Sequence, residues 1–236
     1  MNSILKSLME KAVGNCQVHG DFETPTFTGR PPPCPTCAEL GIRDRQAKAR
    51  ESAAPTDRLL SASGVPLRYR GARIEHVATP YREKLSKWAD RAENRYAPLL
   101  MIGNVGTGKT YAAAAVIRAM SEHGVQALFG SEADYLREIR ASWDSKDITE
   151  QSVFRRWAGA HVLFLDDIGA ARGNENDAMR LHELIATRYN NLRTTAFISN
   201  LTPEALRDAV GERAYDRMRD GATQMTMTGP SRRKAA

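Results

Sequence analysis

The chain of 236 residues lacks any apolar run that approaches the roughly 18 residues of a membrane-spanning helix, and its first residues lack the hydrophobic segment of a signal peptide. Cysteine is also scarce, and all three cysteines lie within residues 16–37. An odd number of cysteines without an export signal argues against a disulfide framework. We therefore expect a cytoplasmic protein with no membrane contact.

The charge of the chain is only weakly asymmetric. The formal net charge is +6, and residues 1–97 carry 16 Lys and Arg against 11 Asp and Glu. This excess permits contact with nucleic acid or an acidic partner, but a solvated basic surface is its commoner meaning. The length and the 42% hydrophobic content allow one α/β domain of ordinary size with an appendage.

Residues 103–110, Gly-Asn-Val-Gly-Thr-Gly-Lys-Thr, match the phosphate-binding pattern G-x-x-x-x-G-K-S/T. An apolar run at 99–102 predicts a buried strand before this loop, and an alanine-rich stretch at 109–120 predicts a helix after it. Glycines let successive N–H groups face one anion, and the helix start adds a partial positive charge. The loop therefore predicts an ATP site formed by Gly103, Asn104, Val105, Gly106, Thr107, Gly108, Lys109 and Thr110, in which Lys109 meets the β- and γ-phosphates and Thr110 meets Mg²⁺.

Two carboxylates follow a second apolar strand, predicted at 161–165. Asp166 is placed to hold Mg²⁺, and Asp167 is placed to polarise the water that attacks the γ-phosphate. Acidic pairs also cap helices, but a position downstream of a complete phosphate loop favours the catalytic interpretation.

Asn200 follows the predicted strand at 194–198. Its amide could bond both the γ-phosphate and the attacking water, and so report whether the nucleotide is intact. The alternative is an asparagine turn before the helix that starts near Thr202-Pro203. The position after the acidic strand leads us to favour the sensor.

Strand and helix signals alternate through the rest of the chain, which predicts an α/β fold with a parallel sheet between helices. Further strands are predicted at 125–129 and 224–227, and helical segments at 131–158, 177–192, 203–210 and 211–221. No internal repeat is visible.

Two short pairs, Cys16-x-x-His19 and Cys34-x-x-Cys37, account for every cysteine. Two-residue gaps let both side chains of a pair reach one metal ion, and three Cys with one His complete a tetrahedral Zn²⁺ shell. The alternative is three buried free cysteines beside a chance histidine. We predict a structural zinc that supplies the folding free energy of a small module.

The chain is divided by its turn-forming and charged segments into an N-terminal zinc-binding module at 1–58, a linker at 59–80, an ATPase core at 81–230 and a disordered basic tail at 231–236. Within the module, residues 4–13 predict one or two helical turns and residues 39–54 a charged helix.

Together these motifs resemble the helicase-loader ATPases of the DnaC/DnaI type, members of the AAA+ superfamily, over roughly residues 60–230. The resemblance rests on residues 64–70, 103–110, 163–169, 185–189, 198–201 and 211–219. The Cys/His module is similar to the N-terminal zinc module of phage and DnaI-type loaders.

The resemblance implies an ATPase that loads a replicative DnaB-type helicase onto single-stranded DNA and self-associates when ATP is bound. It implies that the N-terminal part grips the helicase. Arg217 falls where the family has an arginine finger acting on a neighbouring subunit. Residues 131–157 fall where initiators and loaders carry a helical element that contacts single-stranded DNA. The segment contains Tyr135, Trp143, Trp157, Arg137, Arg140, Arg155 and Arg156. By spacing alone, buried aromatics with exposed arginines explain these positions better.

Three alternative functions are also compatible with the sequence. A related ATPase of the IstB type acts with a transposase on duplex DNA, and the zinc module argues against it. A small-molecule kinase would need a second substrate pocket and a lid, whereas the paired aspartates and Asn200 fit hydrolysis better. A zinc adaptor that is switched by ATP without hydrolysing it would be recognised by its lack of turnover.

Overall fold

A computed structural model describes residues 10–16, 20–26, 35, 55–170 and 173–232. The chain forms two compact units, Met1–Ala54 and Pro55–Ala236. None of the helices within these described ranges is long and apolar enough to cross a membrane.

The first unit contains an antiparallel pair of strands, β1 (Glu10–Cys16) and β2 (Gly20–Thr26). Their register sets Glu10 opposite Thr26 and Cys16 opposite Gly20. The helical turns predicted for residues 4–13 are therefore wrong at residues 10–13, where backbone pairing with β2 holds the chain extended. The helix predicted at 39–54 lies outside the described residues.

The second unit is built on a five-stranded sheet in which every strand pair is parallel. The strand order is β4-β5-β6-β3-β7. The strands are β3 (Leu99–Ile102), β4 (Ala127–Ser131), β5 (Val162–Asp166), β6 (Thr194–Ser199) and β7 (Thr223–Thr226).

Helices cover both faces of this sheet, which confirms the predicted α/β class. They are α1 (residues 55–62), α2 (Thr79–Asn94), α3 (Lys109–Glu122), α4 (Glu132–Ala141), α5 (Glu150–Gly159), α6 (Glu175–Asn190), α7 (Pro203–Val210) and α8 (Glu212–Arg219). Short 3₁₀ turns lie at Leu67–Tyr69, Ile74–His76 and Ser142–Asp144. The starts of α4, α5 and α6 are fixed by capping boxes on Ser131, Thr149 and Asn174, each of which accepts a bond from the third backbone N–H of its helix.

Alternate residues of β3 face two hydrophobic cores. Leu99 and Met101 pack into the core that α2 and α3 cover, whereas Leu100 and Ile102 pack into the core of α4 to α8. A strand buried on both faces is a continuous apolar run, and this explains why β3 was recognisable from sequence.

Residues 59–80, which the sequence analysis assigned to a linker, pack against the sheet. Leu60, Val65, Ala72 and Val77 are buried in the core beside α2 and α3. The Phe129 N–H of β4 donates to the carbonyl of Ser63 at 2.6 Å. This segment therefore belongs to the second compact unit.

Several predicted element boundaries are shifted by one or two residues in the structure, and two of the differences have a visible cause. β4 begins at Ala127 and not at Val125, because the Val125 N–H still bonds the Met120 carbonyl at the end of α3. The helical region predicted at 131–158 divides into α4 and α5, since Thr149 caps a new helix.

Candidate nucleotide-binding site

The loop between β3 and α3 requires its glycines. Gly103, Gly106 and Gly108 have φ values of 147°, 85° and 98°, which other residues rarely adopt. A Cβ on Gly103 would lie 2.0 Å from the Met227 carbonyl oxygen. The pattern of glycines thus follows from backbone geometry and from the close approach of the chain after β7.

Lys109 closes the loop on itself. Its side chain is only 5% exposed, and Nζ donates to the carbonyl oxygens of Gly103 at 2.6 Å and Asn104 at 2.9 Å. The ammonium group is therefore held inside the ring of backbone that a phosphate would enter. Gly108, the N-cap of α3, has no side chain to cap the first N–H groups of that helix, and a ligand oxygen can bond them.

Thr110 and Asp166 meet at the start of α3. The Thr110 hydroxyl donates to Asp166 Oδ2 at 2.8 Å, and Asp166 is 5% exposed at the end of β5. The pKa of the Asp166 carboxyl is raised, because the effect of burial is larger than the opposing effect of the bond from Thr110. A hydroxyl and a carboxylate in contact are a donor set that fits Mg²⁺.

Asp167 lies beside Asp166 in a strained backbone conformation, with φ at 52°. Its N–H donates to Asp166 Oδ1 at 2.8 Å, and its own Oδ1 accepts a bond of 2.6 Å from the Asn200 amide. Asp167 is exposed, whereas Asp166 is buried. The two carboxylates therefore have different surroundings, one facing Thr110 and the other facing solvent and Asn200.

The strand order explains why Asn200 reaches this place. β6 lies between β3, which leads into the phosphate loop, and β5, which ends in the aspartates. Because carboxyl ends of parallel strands share one edge, the residue after β6 falls between the two motifs. The structure thus brings together the phosphate loop, Asp166, Asp167 and Asn200.

Glu132 is a site-proximal residue that the sequence analysis missed. It is 6% exposed at the start of α4, and its Oε2 accepts the Gly169 N–H at 2.7 Å. Burial raises the pKa of Glu132, the bond from Gly169 lowers it, and the charge of Asp177 raises it further. The sequence signal for Glu132 was its position next to the end of a predicted strand. Its partner, Gly169, is distant in sequence.

The loop after Asp167 is consequently held from two sides. Glu132 binds it at Gly169, while β6 binds it at Ile168, whose N–H donates to the Ile198 carbonyl at 3.0 Å and whose carbonyl accepts the Ser199 hydroxyl at 2.7 Å. These contacts fix the backbone that carries Asp167.

Arg217 lies on α8 and is half-buried. No hydrogen bond or ion pair joins it to another residue in the described part of the chain. The pKa of the Tyr189 hydroxyl is raised, mainly by the hydrogen bond of this hydroxyl to Asp220. The positive charge of Arg217 partly opposes this shift.

The aromatic residues of 131–157 divide into two groups. Tyr135 and Trp157 are 0% and 1% exposed and pack against each other with ring centres 5.3 Å apart. Trp143 is 59% exposed, and its indole N–H donates to Glu150 at 3.0 Å. Only Trp143 of these three rings is accessible for stacking on a base.

The four predicted zinc ligands receive little structural information. Cys16 ends β1, opposite Gly20, whereas His19, Cys34 and Cys37 lie outside the described residues. Among the residues that the structure describes, no group of three or more His, Cys, Asp and Glu is placed to hold a metal ion. Zinc binding by the N-terminal module stays a prediction.

The geometry at the sheet edge agrees with the comparisons to known proteins. The family model described as IstB-like ATP binding protein matches residues 83–235. The chain belongs to this family. It is thus an ATP-binding protein with an AAA+ phosphate-loop fold.

Helicase loaders are found among the relatives and the solved structures to which this chain is similar. The replicative helicase loader DnaC of Buchnera aphidicola subsp. Acyrthosiphon pisum (strain APS) is 27% identical over 191 residues, which cover 78% of each protein. The crystal structure of the DnaC helicase loader aligns with a TM-score of 0.62 at 19% identity, covering 69% of this chain and 100% of the other. The crystal structure of DnaI aligns with a TM-score of 0.57 at 24% identity, covering 72% and 95%. The predicted resemblance to DnaC/DnaI-type proteins is confirmed.

Proposed function

We propose that this protein hydrolyses ATP at the carboxyl edge of its sheet. The observation that carries this proposal is the pair of contacts Thr110 to Asp166 and Asn200 to Asp167, at 2.8 Å and 2.6 Å. They join a phosphate loop, a Mg²⁺-binding pair and a solvent-facing carboxylate in one place.

Each group has a distinct role in this reaction. Backbone N–H groups of 103–110 and the Lys109 ammonium bind the phosphates. Thr110 and Asp166 would hold Mg²⁺, which would neutralise charge on the phosphate oxygens. Asp167 accepts a hydrogen bond from the attacking water and takes up its proton as the new O–P bond forms. The bond between the γ-phosphorus and the β–γ bridging oxygen breaks in the same step, and ADP leaves with that oxygen. The Asn200 amide orients Asp167 and, once its NH₂ turns to the nucleotide, the γ-phosphate.

We further propose that Arg217 completes the site of a neighbouring copy. Within the described residues no acid pairs with it, so its charge is available to a second molecule. A guanidinium at the γ-phosphate stabilises the charge that develops during transfer. Hydrolysis would then require self-association in the ATP-bound state.

In the cell, we propose that the protein loads a DnaB-type replicative helicase onto single-stranded DNA in the cytoplasm. The similarity to DnaC over 78% of the chain supports this role. The N-terminal module, residues 1–58 with zinc on Cys16, His19, Cys34 and Cys37, would bind the helicase. Cys16 ends β1, and the two-residue gap between Cys16 and His19 in the sequence suits a zinc knuckle.

The test is affinity capture from the source cells, with the full tagged chain loaded with ATP as bait and the Cys34→Ser chain as the matched control. Recovery of a ring helicase by the wild-type chain and its loss with Cys34→Ser is the expected result. Recovery of a transposase instead would establish the second candidate, an ATPase that acts with a transposase, which the match to the IstB-like family model favours. Helicase capture without any measurable ATP turnover would leave the adaptor interpretation.

A further inference from the structure

A cavity of about 500 Å³ opens at the sheet edge opposite to the phosphate loop. β5 and β6 begin there, at Val162 and Thr194, while α5 and α6 end there. Its walls include Arg95, Tyr96, Phe154, Arg155, His161 and Arg193. This volume lies within the range of small-ligand sites.

The lining carries positive charge and no carboxylate. Arg95, Arg155 and Arg193 are exposed and line the cavity together with His161. In the described part of the chain, none of these arginine side chains forms an ion pair. The His161 Nε2 bonds the Glu93 carbonyl oxygen at 3.2 Å.

A fourth guanidinium lies in the wall behind the cavity. Arg188 is 1% exposed and donates to the carbonyls of Trp157, Ala158 and Ala160 at 3.0, 2.9 and 2.8 Å. Burial, followed by the nearby charge of Arg193, lowers the pKa of Arg188 to about 9. Two guanidiniums therefore influence each other beside a cavity without an acidic lining residue.

Stabilisation of helix ends accounts for only part of this charge. A cation near the last turn of a helix interacts favourably with its carbonyls by about 0.3–1 kcal/mol. Arg188 already bonds the carbonyls at the end of α5. Asp220 is a nearby acidic residue, since, besides burial, its charge raises the pKa of Tyr96 in the lining. Its carboxylate accepts a hydrogen bond from the Tyr189 hydroxyl at 2.5 Å. The exposed arginines are thus left for a ligand.

We propose that this cavity binds a phosphate group of a nucleotide, either free or within a single nucleic-acid strand. A phosphate offers several acceptor oxygens in one compact group, which suits guanidinium donors that surround one cavity. An acidic peptide spaces single carboxylates along an extended chain and fits a groove better. Tyr96 and Phe154 are half-buried in the lining and give a base a surface to stack on.

This site is separate from the ATP site and does not depend on hydrolysis or on helicase loading. The test therefore uses the full chain with Lys109→Ala, in which the phosphate loop is disabled. Binding of pyrophosphate is measured by calorimetry, and binding of a labelled 15-residue oligothymidylate by fluorescence anisotropy. The third ligand is a polyglutamate peptide with a net charge similar to that of the oligothymidylate.

The diagnostic variant adds Arg155→Ala and Arg193→Ala, and the matched control adds Arg58→Ala and Lys87→Ala, two exposed cations outside the cavity. The cavity variant should lose about tenfold or more in affinity, as expected for removal of charge-assisted bonds, and the control less than about twofold. For the oligonucleotide, the slope of log K against log salt should fall by about 1.4, since each single-strand phosphate contact contributes about 0.7.

The three ligands separate the possible sources. Arginine-dependent binding of pyrophosphate alone indicates a free nucleotide, and binding of both phosphate ligands indicates a strand. Equal affinities of the cavity variant and the control overturn the proposal, as does arginine-dependent binding of polyglutamate in the absence of phosphate binding. Arg155→Lys with Arg193→Lys, which keeps the charge, guards against misfolding and should bind at an intermediate level.

Discussion

The side-chain amide of Asn200 donates a 2.6 Å hydrogen bond to the carboxylate of Asp167. The two residues are 33 positions apart and follow neighbouring strands. This bond fixes the direction of the carboxylate that faces solvent at the nucleotide-binding edge. Substitution of Asp167 and substitution of Asn200 should therefore have different effects.

Asp167→Asn should keep ATP affinity and lower the turnover of ATP by about 10²–10⁴, the range of general-base contributions. The substitution keeps the shape and removes the proton acceptor.

Asn200→Ala should lower kcat by about tenfold, because it removes one orienting hydrogen bond. Steady-state turnover and nucleotide titration measure both. Unchanged turnover in Asp167→Asn would assign the base to another residue.

Lys109→Ala should weaken ATP binding by more than about tenfold, since it removes the ammonium that meets the phosphates. Because Lys109 also bonds the carbonyls of Gly103 and Asn104, its melting temperature is recorded beside the titration. Lys87→Ala, an exposed lysine of α2, is the control. Wild-type ATP affinity in a folded Lys109→Ala chain would contradict the assignment of the phosphate loop.

Glu132 should position the loop of Asp167 through its bond to the Gly169 N–H. Glu132→Ala should destabilise the protein by about 1.5–3 kcal/mol, the range for hydrogen bonds to charged groups, and lower kcat more than it changes KM. Glu132→Gln keeps an acceptor oxygen and should recover most of the turnover. Equal loss of turnover in both variants would show that the charge, and not the bond, matters.

The raised pKa of Glu132 also predicts a pH dependence of stability. A carboxyl with a raised pKa in the folded state contributes its stability below the unfolded pKa and loses it as pH rises through the folded value. The stability of Glu132→Gln relative to wild type should therefore be higher at neutral pH than near pH 4.5, the ordinary pKa of Glu. Denaturant unfolding at several pH values measures it, with exposed Glu83→Gln as the control.

Arg217→Ala should bind ATP normally and lose about a thousandfold in turnover, as expected for an arginine finger. Mixing distinguishes action on a neighbour from a local role. Lys109→Ala has a weakened ATP site but retains Arg217, so its addition should partly restore turnover to Arg217→Ala. Normal turnover of Arg217→Ala alone, at every protein concentration, would contradict a role in a second subunit.

The N-terminal module should contain one zinc ion per chain, bound by Cys16, His19, Cys34 and Cys37. Elemental analysis of protein purified without chelator measures it. Cys34→Ser should lose the metal and helicase binding while ATP affinity stays unchanged, because the ATP site belongs to the other compact unit. Absence of zinc from the wild-type chain would remove this module from the proposal.

The sequence by itself determined the phosphate loop, the order of strands and helices from β3 to β7, and the fold class. These depend on local signals: glycines at positive φ, apolar runs buried on both faces, and capping residues at helix starts. Thr110, Asp166 and Asn200 could be selected because each follows a recognisable element. The zinc ligands and the helix at 39–54 remain sequence predictions, since most of these residues lie outside the described part of the chain.

Only the tertiary structure decided which of these residues touch. The position of β6 between β3 and β5 placed Asn200 on Asp167, and the pairing of β4 with β5 brought Glu132 to Gly169. The cluster of arginines at the opposite sheet edge comes from four separate elements or connections. Such contacts depend on strand order and helix packing, which join residues far apart in the chain and leave no periodic signal in the sequence.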